Sequence, residues 1–104
     1  MKKYEIYVPL KYNNGDPIES EKIKQIREEL IAAFGTLTVS ALSAPFQGTW
    51  KYGGVQFMDD IIKIEVITAE DVKTDRFFRR FKQRLKQLLQ QVDILITTQD
   101  IRTI

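Results

Sequence analysis

Any chemistry in this chain has to come from carboxylates, hydroxyls, amides, lysines and arginines, because it contains neither histidine nor cysteine. Losing histidine removes the usual general base near neutral pH and the commonest metal ligand. Losing cysteine excludes disulfides, thiolate metal sites and thiol nucleophiles, and nothing points to an oxidising compartment. Two carboxylate pairs remain, Asp59 with Asp60 and Glu5 with Glu65. Neighbouring residues of a strand face opposite ways, so Asp59 and Asp60 cannot serve one site unless a turn intervenes. Glu5 and Glu65 could share a sheet face, where Lys63 and surface hydration would keep both ionised. The glycine-rich phosphate loop ahead of a helix, the zinc-binding patterns and the nucleophile elbow are all missing. No catalytic residue, metal ligand or cofactor is therefore assigned, and a non-catalytic role is expected.

Groups suited to binding are easier to find. Between Phe46 and Phe57, Gln47, Trp50 and Tyr52 lie close to Asp59 and Asp60 and could line a pocket. Trp and Tyr join a large apolar area to a polar handle, which suits a ligand or a protein partner. The competing reading, which is favoured, folds Trp50 over one end of the core. A second group is cationic: Arg76, Arg79, Arg80, Lys82, Arg84 and Lys86 follow one another with no acid between them. Removing these six from the 16 Lys and Arg leaves 10 against 14 acids, so the remainder of the chain is formally −4. At 100° per helical residue, Arg76, Arg79, Arg80 and Lys86 surround the direction opposite the apolar stripe, with Lys82 and Arg84 at its edges. Such a ridge could contact phosphates or an acidic partner in a salt-dependent way. A net charge of +2 is far from that of most nucleic-acid domains, so nucleic acid is possible but not favoured.

The elements that must position these groups follow from periodicity. Tyr4, Ile6, Val8 and Leu10 alternate with Glu5, Tyr7 and Pro9, predicting a first strand with one buried face. The run Asn13-Asn14-Gly15-Asp16-Pro17 is a turn. Ser20 is placed to cap a helix with Ile23, Ile26, Leu30, Ala33 and Phe34 on one stripe and Gly35 as its C-terminal cap, an alternative start being Asp16 with Pro17. Thr36 to Leu42 reads as the second strand, 43–57 as a long or twisted hairpin connection, and Ile61 to Thr68 as the third strand. Thr74 or Asp75 would cap a second helix with Phe78, Phe81, Leu85, Leu88 and Val92 as its stripe, before a last strand at Asp93 to Thr98. The order βαββαβ predicts one α+β domain over residues 1–104, with a four-stranded antiparallel sheet and both helices on one face: a ferredoxin-like arrangement. Glu5, Tyr7, Thr38, Ser40, Lys63 and Glu65 should then lie on the open face, where Tyr7 and Glu65 join the binding residues. An RNA-recognition sheet is disfavoured, since the third strand lacks the required aromatics.

Phe34-Gly35-Thr36-Leu37-Thr38, then Gln47-Gly48-Thr49-Trp50, Gly53-Gly54 and the acids Asp59 and Asp60 resemble a family of small uncharacterised bacterial ferredoxin-like domains. These carry Phe-Gly-Gly-x-Thr and Gly-x-Trp around the same hairpin. The resemblance implies the fold and a bacterial source, and no activity. Thr36 stands where the family has a second glycine. No run of apolar residues is long enough to span a membrane, and Tyr4 to Leu10 is not the apolar region of a signal peptide, so a cytoplasmic setting without membrane contact is expected. Together these features predict a binding or assembly module: a homodimer, or a subunit docking on another protein.

Overall fold

Strict alternation over Tyr4, Ile6 and Val8 does form a strand, and it lies at the centre of the sheet. The computed structural model describes residues 1–40, 45–52 and 54–104, and the side chains of these except 50, 52 and 55–59. In chain order the elements are β1 (Lys2–Pro9), α1 (Ser20–Phe34), β2 (Thr38–Val39), β3 (Phe46–Tyr52), β4 (Val55–Thr68), α2 (Val72–Leu88) and β5 (Ile96–Asp100). The sheet runs β2-β4-β1-β5, with β3 added to β4, and every pairing is antiparallel. Two βα units thus interleave, the ferredoxin-like order, and both helical stripes pack on one face.

The core is made where the sheet's period of two meets the helices' period of three to four. Tyr4, Ile6, Val8, Ile62, Ile64 and Val66 point inward from β1 and β4, and Ile23, Ile26 and Leu30 of α1 with Phe78, Phe81 and Leu85 of α2 meet them. An aromatic ladder ties the layers, with Tyr4 stacked on Phe78 at 4.0 Å between centroids and Phe34 on Phe78 at 5.3 Å. Such pairs add about 0.5–1.5 kcal/mol beyond the area they bury.

Several boundaries differ from expectation for local reasons. Ser20 is the first helical residue of α1, and Glu19 occupies the cap position without a side-chain cap. Its carboxylate is taken instead by the Tyr12 hydroxyl and the Lys22 amine. The Asp16-Pro17 start fails because this segment is folded back as a turn, with Tyr12 N–H on Asp16 O and Asp16 N–H on the Asn14 side chain. α2 begins one turn earlier than Thr74: the Asp71 carboxylate accepts from Lys73 N–H at 2.9 Å, and Asp71 O closes the first turn. The last strand starts at Ile96 rather than Asp93. The sheet has five strands instead of four, because the 43–57 connection contains β3 and the start of β4.

At the end of α1, Gly35 adopts φ 79°, and its N–H closes on Ile31 O at 2.7 Å. Space is not the constraint, since a Cβ there would meet no atom within 4 Å; the left-handed backbone is. Gly35→Ala should lower the unfolding free energy by about 1–2 kcal/mol, the left-handed penalty for a residue with a Cβ, as read from a urea midpoint that shifts without a change in slope. An unchanged midpoint would show that the cap relaxes freely.

Candidate functional site

Both helices pack on one face of the sheet, and among the described residues no helix covers the other. From β1 it presents Lys3, Glu5, Tyr7 and Pro9, opposed in register by Ile67, Glu65, Lys63 and Ile61 of β4. Glu5 lies directly across from Glu65, an arrangement that like charges oppose. Their repulsion is relieved by three donors around Glu5: the Tyr7 hydroxyl at 2.9 Å, the Lys3 amine at 3.2 Å and the Lys63 amine at 3.7 Å. The Glu5 side chain is 15% exposed, so these contacts are partly shielded from water. Hydrogen bonding by Tyr7, then by Lys3, holds the Glu5 carboxyl below the ordinary carboxylate range, and the same bond to Glu5 raises the Tyr7 hydroxyl above its own. At neutral pH the cluster is an ionised acceptor and a protonated phenol, suited to orienting a polar ligand or partner rather than to removing a proton.

A depressed folded-state pKa contributes stability that is complete above the ordinary value of 4.5 and is lost as pH falls through the lower folded-state value. Glu5→Gln should therefore be less stable than the parent near neutrality, with the gap closing in acid below that point. Urea midpoints of the two proteins measured across pH 7 to 3 check this, and a gap independent of pH would contradict it.

Beside this cluster runs a groove of about 550 Å³. Its floor is Tyr7, Pro9, Ile61 and Lys63; one wall is Phe46 to Thr49 at the base of β3, and the other is the Gln91–Leu95 segment leading into β5. Phe46 and Leu95 are 48% and 57% exposed, and the Lys63 amine lies 5.7 Å from the Phe46 ring centroid. Past the groove, β1 stops at Pro9 opposite Ile61. From there Gln47–Tyr52 and Val55–Asp60 continue as a ribbon, about 20 Å long at the usual rise, held at its base by Leu10 N–H on Asp60 O at 2.9 Å and beyond that paired, among the described residues, strand to strand.

The proposed binding residues are thus divided. Tyr7 and Gln47 line the groove, and Glu65 lies one row away on the same face. Trp50 and Tyr52 belong to the ribbon, opposite Phe57 and Val55, and their side chains lie outside the described residues, as does that of Asp59. On α2, Arg76 and Arg80 are exposed, Arg79 is paired with Asp75 at 3.0 Å, and Lys86 is half-buried. Phe46, Lys63 and Leu95 were missed as groove residues. The signal for Leu95 was present in Ile94-Leu95-Ile96: with Ile94 inward, its neighbour must face the open side. Among the described residues no cluster of three metal-ligand side chains occurs, and no helix is long and apolar enough to cross a membrane.

Fold and site define a ferredoxin-like α+β domain with a polar cluster and an apolar groove on its open sheet face. No family model matches the chain and no curated protein matches it. Solved structures do. The divalent cation tolerance protein Cut A1 from Thermus thermophilus superposes with a TM-score of 0.64 at 17% identity, over 99% of this chain and 86% of that one. A phage SAM lyase in complex with S-methyl-5'-thioadenosine gives 0.69 at 11% identity, over 95% and 80%. The periplasmic divalent cation tolerance protein CutA from Archaeoglobus fulgidus gives 0.65 at 13%, over 99% and 86%. At these identities the likeness establishes the ferredoxin-like fold, and nothing about activity is carried with it.

Proposed function

We propose that this protein is a self-assembling binding module whose open sheet face and β3–β4 ribbon are covered by further copies of the chain. The ribbon is the observation that carries this reading. Two strands paired only with each other are marginally stable in water, yet past the Leu10–Asp60 hydrogen bond the described residues of β3 and β4 continue as such a pair. Among the described residues the outer edges of β3 and β5 have no ladder partner, and such edges invite pairing with another chain. The exposed side chains of Phe46, Ile67 and Leu95 stand on the same face and supply apolar area for a contact. A bacterial cytoplasmic setting goes with this reading, on the motif resemblance and the absence of cysteine. Sedimentation velocity over a wide range of concentration tests the assembly: boundaries that move faster at higher concentration support it, and a boundary that never changes overturns it.

A second reading is favoured by the groove. It joins Tyr7, and through it the shielded Glu5 carboxylate, to an apolar floor, the combination of many small-molecule sites. The flat apolar part of a ligand would lie against Phe46, Ile61 and Leu95, and its polar edge would reach Tyr7 or Glu65. The phage SAM lyase, similar in fold, is described with S-methyl-5'-thioadenosine bound, which makes that nucleoside thioether the first ligand to try. Shifts confined to amides of β1, β4 and the Gln91–Leu95 segment on titration would support the reading; none at millimolar ligand would remove it.

A further inference from the structure

We infer that the outer face of α2 is a docking surface for single-stranded nucleic acid, formed by Lys73, Arg76, Arg80 and Arg84 over the ring of Phe77. These residues recur at steps of three, four and four, so they fall on one stripe of the helix. Together with Phe77 and Phe81 they line a concave strip of about 430 Å³. The stripe differs from the ridge drawn by charge alone. Arg79 and Lys82 are held by Asp75 and Asp93, and with Lys86 they lie on the flank of α2 away from the strip. Arg84 is tied to Glu29 of α1. Lys73, Arg76 and Arg80 have no acidic partner among the described residues.

Three unneutralised cations in a row repel one another, and a line of phosphates relieves that repulsion while releasing its own counterions. Each step of four residues advances about 6 Å along the helix, a pace at which an extended phosphodiester chain can meet the cations one after another. Phe77 separates this from a generic acidic partner. Its ring is only partly buried, and it is fixed edge-on against Phe34 at 5.1 Å and stacked on Phe81 at 5.4 Å. A rigid aromatic beside a cationic row is the arrangement on which unpaired bases stack. A duplex is a poorer fit, because α1 lies alongside α2 and prevents it from entering a groove. The surface belongs to the helical layer, on the opposite side from the open sheet face, so it stands whether or not the chain self-assembles.

The test is fluorescence anisotropy of a labelled oligothymidylate of about 12 nucleotides, titrated with the full chain at low salt. Binding should weaken with salt along a log–log slope of about −2, the value for three single-strand phosphates. The double variant Arg76→Glu with Arg80→Glu should weaken it at least tenfold. The charge-matched variant Arg79→Glu with Lys86→Glu, which alters the other flank, should change it far less. Phe77→Leu, keeping the charges, should weaken it severalfold. Absence of binding at low salt, equal losses in the two charge-reversed proteins, or polyglutamate competing as well as unlabelled oligothymidylate would each overturn the inference.

Discussion

Phe81→Ala is expected to lower the unfolding free energy by about 3–5 kcal/mol, the usual cost of emptying a buried aromatic site. Phe81 is 2% exposed and lies on the inward stripe of α2, its ring stacked on Phe77. Truncation removes a ring from the core and takes away the stacking partner of Phe77. Domains of this size commonly retain only about 5–15 kcal/mol, so the variant should unfold at much lower urea, if it folds at all. Phe81→Leu keeps most of the volume and should lose clearly less. Denaturation followed by circular dichroism at a fixed protein concentration is the measurement, since assembly would add to apparent stability by mass action. An alanine variant with the parent's midpoint would mean that α2 does not pack as described.

Phe46→Glu combined with Leu95→Lys should have the opposite profile, leaving the folded chain nearly as stable while abolishing its self-association. Both side chains are about half exposed in the single chain, and exposed substitutions usually change stability by no more than about 0.5 kcal/mol. A glutamate at 46 would even find a partner, because the Lys63 amine already faces that ring. In an assembly the same positions become buried, and placing charges there costs hot-spot energies of about 2 kcal/mol or more. This corresponds to a dissociation constant raised about thirtyfold or more. Sedimentation equilibrium of the parent and the variant gives both constants. Equal constants would move the interface off the groove walls.

How far the sequence determines these surfaces can be judged element by element. β1 and the second half of β4 were readable because each residue with an inward side chain is β-branched or aromatic and most outward neighbours, Lys3, Glu5, Tyr7, Lys63 and Glu65, are polar, a contrast the sheet's two environments enforce. α2 was readable for the same reason at helical spacing. The β3–β4 ribbon was harder. Phe46-Gln47-Gly48-Thr49-Trp50-Lys51-Tyr52 does alternate, and Gly53-Gly54 is a hairpin signal, but Gly48 interrupts the apolar series. The groove was less legible still, since its walls come from β3 and from the segment before β5, residues that only the fold brings together. Charge reading located the basic helix but not which of its cations are paired, because the pairing of Arg79 with Asp75 and of Lys82 with Asp93 depends on side-chain reach and on tertiary placement.

Self-assembly would cover the open face and the ribbon with further copies of the chain. Multi-angle light scattering on the eluting protein measures it directly. A self-assembling chain gives at high concentration a molar mass of two or more whole multiples of 12.2 kDa, collapsing to the single-chain value in the Phe46→Glu, Leu95→Lys variant. A parent that elutes at 12.2 kDa at the highest attainable concentration would contradict it.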